Sequence, residues 1–294
     1  MLFSPFRVCG GLLAAAWMVA SPAIAATAGV RDTSGSWAFG LAGQVDENSS
    51  DSVLATINWG VTPTTWLSFA AGRSTSPADR AAVQADTLVA AVDRRFDSVG
   101  FTLELERWGD SAALETEDLR GSVYFDRERW RLALAYETRD LEIPFTLTGP
   151  LGNSLRRTAE LSADSYGIDV RVSLGEQWRL FFGAAEYDYG RGLNLIPRID
   201  RLNLLSTSTL TLANSFVDHE RSVGVERDIG RMVLSARVAT DRSAVDDSKF
   251  ETLDAALLLP IGSRMDLELN VGRGRSELAD AGLYAGVLFL LYSR

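Results

Sequence analysis

The 294-residue chain carries a formal net charge of −10 at pH 7, and 46% of its residues are hydrophobic. The acidic surplus argues against a nucleic-acid partner, and beyond the N-terminus no apolar run is long enough for a membrane helix. Strands that cross a bilayer remain allowed, because alternating residues keep mean hydropathy low.

At the N-terminus, Arg7 precedes an apolar stretch over residues 8–20, and Ala23-Ile24-Ala25 supplies a small-x-small cleavage site. Residues 1–25 therefore read as a secretory signal peptide, followed by a polar lead-in over 26–35 and a folded unit over 36–294. The apolar stretch is short for a span. Cys9 is the only cysteine. It falls in the leader, so neither a disulfide nor thiol chemistry is expected.

From residue 36 onward the chain alternates with a period of two, the mark of strands with one apolar face. Trp37, Phe39 and Leu41 oppose Ala38, Gly40 and Ala42, and then Val53, Ala55, Ile57 and Trp59 oppose Thr56 and Asn58. After a Pro-containing turn, Trp66 opens a strand with Leu67, Phe69 and Ala71. Residues 74–85 read as a polar loop, and Leu88, Ala90 and Val92 oppose Val89, Ala91 and Asp93. Val99, Phe101, Leu103 and Leu105 against Gly100, Thr102, Glu104 and Glu106 form the cleanest alternation, with a loop expected over 109–117. Residues 122–137 read as a hairpin turning at Asp126-Arg127-Glu128-Arg129, its second strand continuing to about residue 145. Beyond a loop over 146–155, Tyr166, Ile168, Val170, Val172 and Leu174 oppose Gly167, Asp169, Arg171 and Ser173.

Residues 178–189 read as a strand without a clear parity. Phe181 and Phe182 fall on opposite faces while Glu186 and Asp188 share one, and a bulge would reconcile them. The longest connection is 190–212. The rest alternates again: Val223 and Val225; Met232, Leu234, Ala236 and Val238; Leu253, Ala255, Leu257 and Leu259; Met265, Leu267, Leu269 and Val271; then residues 283–292. This makes about fourteen strands, with twelve the main alternative. Connections after the even strands are tight and those after the odd strands mostly longer. Trp37, Trp66, Phe96, Trp130, Trp178 and Tyr292 all fall at one end of the strands, where an interfacial belt of aromatic rings would lie.

In these features the chain resembles the Gram-negative outer-membrane β-barrel superfamily. The resemblance covers residues 36–294 and includes the last strand, where Tyr284, Gly286, Leu288, Leu290 and Tyr292 alternate and are followed by Ser293 and Arg294. It implies an all-β, up-and-down antiparallel transmembrane barrel in the bacterial outer membrane. The implied partners are membrane lipid, lipopolysaccharide and, through the C-terminal strand, the barrel-assembly machinery. Monomer and trimer stay equally open, and no cofactor is implied.

In such a barrel the apolar sets face lipid and the charged sets face the lumen. The lumen candidates are Asp93, Glu104, Glu106, Asp118, Arg120, Arg131, Glu137, Arg139, Asp169, Arg171, Glu226, Arg237, Asp254, Asp266 and Glu268. About fourteen strands suit a narrow water-filled lumen, which the 190–212 connection either constricts or caps from outside. The expected function is passive diffusion of small hydrophilic solutes, with a mild preference for cations from the acid excess. For any single lumen charge, bracing of the wall by Arg–carboxylate pairs is the plainer role. A structural, adhesion or translocator barrel is the rival class, and the first strand follows the leader too closely for a passenger. An outer-membrane hydrolase would lean on His219, with Ser215 and Ser222 nearby, but sequence neighbours on a strand rarely form a catalytic pair. No catalytic residue and no metal-ligand spacing is expected.

Overall fold

A computed structural model describes residues 34–47, 49–76, 83–110, 114–148, 154–190, 216–244, 247–277 and 282–293. The expected signal peptide, most of the lead-in and residues 191–212 of the longest connection lie outside the described residues. Fourteen strands follow in order: β1 (Trp37–Asp46), β2 (Asp51–Thr62), β3 (Thr65–Ser76), β4 (Val83–Phe96), β5 (Val99–Asp110), β6 (Leu114–Arg127) and β7 (Trp130–Thr148). The second half comprises β8 (Ser154–Leu174), β9 (Trp178–Asp188), β10 (Val217–Ile229), β11 (Met232–Ser243), β12 (Lys249–Pro260), β13 (Met265–Ser276) and β14 (Gly282–Tyr292). Each pairs antiparallel with its sequence neighbours, and β1 pairs with β14 from Ala38↔Tyr292 to Asp46↔Tyr284, closing the sheet. Closure leaves no strand edge with unpaired amides, the condition for crossing lipid with strands.

The binary pattern sets which face is which. Phe101, Leu103 and Leu105 on β5, Leu134 on β7, Val223 on β10 and Val271 on β13 all stand exposed on the outside. The intervening polar residues point inward. A continuous apolar belt of this kind is untenable in water and is what a bilayer requires. Leu103 is 47% exposed between Phe101 and Leu105. Leu103→Arg is therefore expected to lower stability by about 2–4 kcal/mol, as at a bilayer midplane, whereas at a water-facing site the change stays within about 0.5 kcal/mol. Reversible urea unfolding in lipid vesicles measures the difference.

The turns after the even-numbered strands lie at one end, together with Trp37 and Tyr292, and Gly175 and Gly230 take positive φ in two of them. At the other end the strands run further than hydropathy suggests. Residues 109–117, expected as a loop, are mostly ladder: β5 reaches Asp110 and β6 starts at Leu114. Likewise β7 and β8 pair from Trp130↔Val172 out to Thr148↔Ser154. Outside lipid both faces can be polar, so alternation fades while backbone pairing continues.

The parity of β9 needs no bulge, since its registers with β8 and β10 run without a shift. Phe181 points inward over Gly224, where a Cβ would lie 2.1 Å from the ring. Only glycine leaves that space. Glu186 and Asp188 share the outer face but sit at the long-connection end, beyond the apolar belt. The one irregularity beside this strand is on its neighbour, where β10 shifts register against β11 between Val217 and His219.

Candidate channel lumen

Inward-facing charges concentrate on β5 to β11. On β5, β6 and β7, Glu104, Arg120 and Glu137 occupy one cross-strand row, and Glu106, Asp118 and Arg139 the next. Arg120 Nε donates to Glu137 Oε2 at 2.7 Å, and its Nη1 lies 3.9 Å from Glu104 Oε1. Arg139 Nε donates to Asp118 Oδ1 and Nη2 to Glu137 Oε1, both at 2.9 Å. Glu137 is thus shared by two guanidiniums and is only 2% exposed. Such charge-assisted pairs satisfy ions that the wall would otherwise leave bare.

Nearer the tight-turn end, Asp93 accepts from Thr102 Oγ1 at 3.0 Å and from the Tyr124 hydroxyl at 3.1 Å. The Arg131 guanidinium stacks 4.0 Å above the Tyr124 ring, a cation–π contact. Arg171 reaches Glu226 at 3.6 Å. Arg179 donates to Glu226 at 2.8 Å and, through both Nη atoms, to Asp228 at 2.8 and 2.6 Å. Arg237 stands opposite Asp254 in register. Asp266 accepts from the Tyr292 hydroxyl at 2.9 Å. Asp169 and Glu268 also lie on the inner face of their strands, Asp169 with Oδ1 3.0 Å from where a Gly183 Cβ would sit. Arg179, Glu220, Asp228 and Asp241 are lumen charges that the sequence-based set omits. Parity alone places them, but Arg179 and Asp228 lie next to turns and Glu220 precedes the clear alternation of its strand.

The interior is not polar throughout. Leu54, Leu258, Leu288 and Leu290 point inward from β2, β12 and β14, with Glu268 standing between Leu258 and Leu288 and Asp266 beside Leu290. At the long-connection end, Val83, Leu114, Leu141, Ile143, Tyr187, Tyr189 and Phe216 form a buried cluster with Trp108 packed against it. Phe216, just before β10, lies 6.0 Å from the Trp108 ring of β5 and 6.1 Å from Tyr189. Four strands separate β5 from β10, so this contact crosses the interior. The narrow lumen expected from the strand number therefore carries an apolar cluster at this end, where side chains shielded from water pack by apolar contact.

The six aromatic residues do share one end, but not one face. Trp37, Phe96, Trp130 and Trp178 are exposed on the outside, joined there by Trp59. Trp66 turns inward against Gly60, where a Cβ would lie 3.1 Å from its ring. Tyr292 turns inward to Asp266. In the last strand Tyr284, Gly286, Leu288, Leu290 and Tyr292 form the lumen side, while Leu283, Ala285, Val287, Phe289 and Leu291 face out. Both sets are largely apolar, so only pairing with β1 assigns them.

His219 Nδ1 lies 3.1 Å from Asp218 Oδ2, and the residue is in register with Glu186 and Arg242 on the outer face. Ser222 faces the lumen, on the opposite side of the wall, and Ser215 lies outside the described residues.

No family model matches the sequence, and no curated protein is similar to it in sequence. Solved structures do match in shape. The chain is similar to the CymD monoaromatic hydrocarbon channel with a TM-score of 0.59, 9% identity and 90% of each chain covered. It also matches the KdgM porin (TM-score 0.43, 7% identity, 86% of this chain and 98% of that one) and OccAB1 of Acinetobacter baumannii (0.43, 11%, 88% and 96%). The closed fourteen-strand antiparallel barrel with its apolar outer belt is the fold the chain shares with the CymD channel.

Proposed function

We propose that the protein is a passive channel of the bacterial outer membrane for small hydrophilic solutes, with a mild preference for cations. The observation that carries this reading is the run of carboxylates and guanidiniums along the inner faces of β5 to β11, behind an apolar outer belt. Ions are kept on that side only where they are paired or hydrated, and a hydrated charged wall conducts. Carboxylates outnumber guanidiniums on it, which favours cations. Purified protein in planar bilayers is expected to give discrete current steps, with a reversal potential in asymmetric KCl of the sign for cation preference. Anion preference overturns the selectivity. Folded protein without conductance overturns the channel and favours a structural, adhesion or translocator barrel.

A second reading, a path for apolar solutes, is favoured by the inward Leu54, Leu258, Leu288 and Leu290. Liposome uptake of a sugar against uptake of an aromatic hydrocarbon separates the two.

A further inference from the structure

On the lumen side of β10 and β11, Glu220 and Asp241 are register partners. Their carboxylates project from Cβ atoms about 5 Å apart, as for any directly opposed pair. Asp241 is 2% exposed, and neither of its oxygens meets a hydrogen-bond donor among the described residues. Arg237, on the same face of β11, approaches Glu220 only to 3.8 Å and stands opposite Asp254 in register. Three carboxylates share the Arg237 guanidinium in this patch, and Arg120 also bears on Glu220. An acid pair on a water-filled wall is unremarkable, but a buried carboxylate with no donor is left either to take up a proton or to draw a positive charge close by.

We propose that Glu220 and Asp241 hold a hydrated divalent cation, Mg²⁺ or Ca²⁺, on the lumen wall. The donors are all carboxylate oxygens, which select hard cations over soft ones. Among the described residues no group of three or more His, Cys, Asp or Glu is arranged to hold a metal, so an ion fully caged by protein is not what the patch offers. Mg²⁺ needs no such cage: it retains several waters and takes one or two carboxylates. The double charge suits two directly opposed carboxylates. The site lies beside the aromatic cluster, since Asp241 is three residues from Ala244, whose amide donates to Phe216 O at 2.9 Å.

The test is a binding measurement that needs no current. Protein refolded in detergent without lipopolysaccharide and stripped with chelator is titrated with MgCl₂ at constant ionic strength, and thermal unfolding is followed. A ligand bound only by the folded state raises the unfolding temperature with each decade of concentration above its Kd. Wild type is expected to show this rise, and Asp241→Asn and Glu220→Gln to lose it, while Asp86→Asn on the outer surface keeps it. An equal rise in wild type and both lumen variants means general screening and overturns the site, as does no rise in wild type. Should the wild type rise while bilayers show no current, the site stands and the channel reading fails. Current without a magnesium response has the opposite meaning.

Discussion

Glu137→Ala is expected to destabilise the barrel by about 3–5 kcal/mol, the cost of breaking a buried ion pair by removing one partner. Its carboxylate takes Arg120 on one oxygen and Arg139 on the other, at 2.7 and 2.9 Å. Without it, Arg120 keeps the 3.9 Å approach to Glu104, and Arg139 keeps Asp118. The row is then reduced to Glu104 and Arg120, and the two guanidiniums lose the carboxylate they shared. Glu137→Gln leaves an acceptor for one arginine and is expected to cost less. Denaturant unfolding in vesicles, followed by tryptophan fluorescence, ranks the three proteins. Equal midpoints for wild type and Glu137→Ala would mean that solvent already screens the row. The same experiment on the exposed Arg73–Asp86 pair on the outer face is expected to show almost nothing, because surface ion pairs contribute little.

Phe216→Ala combined with Trp108→Ala is expected to raise unit conductance severalfold. The two rings meet 6.0 Å apart across the interior, and an apolar constriction passes ions poorly because water withdraws from it. Removing both rings widens and wets the path. The substitution also removes packing, and large aromatic-to-alanine changes in a core cost about 3–5 kcal/mol each, so recordings belong at low temperature with heat-modifiable gel migration as a check of folding. Unchanged conductance from folded double variant means that ions pass beside the cluster, along the charged side of β10 and β11.

Much of this barrel could be read before folding. Period-two alternation gave the strands on both sides of Asp126–Arg129 their faces, because a side chain's side of the sheet depends only on whether its position is odd or even. The lumen charges from Asp93 to Glu268 follow from the same rule. It fails where the two faces have the same polarity. On β14 both are apolar, so the lumen set and the lipid set look alike; at the outer ends of β5 to β8 both are polar, so strand looks like loop. Phe181 misleads for a different reason: an aromatic ring on the wet face is allowed by Gly224, which sits on another strand and is remote in sequence.

Strand number, the outward belt and the acidic surplus of the interior were thus inherent in residue order and type, since each is a local or summed property of the chain. Closure through β1 and β14, the sharing of Glu137 by two arginines, the aromatic contact across the interior and the donorless burial of Asp241 arise only on folding. Each depends on the register between strands, and register sets which distant residues stand side by side, a relation that alternation along one strand does not encode.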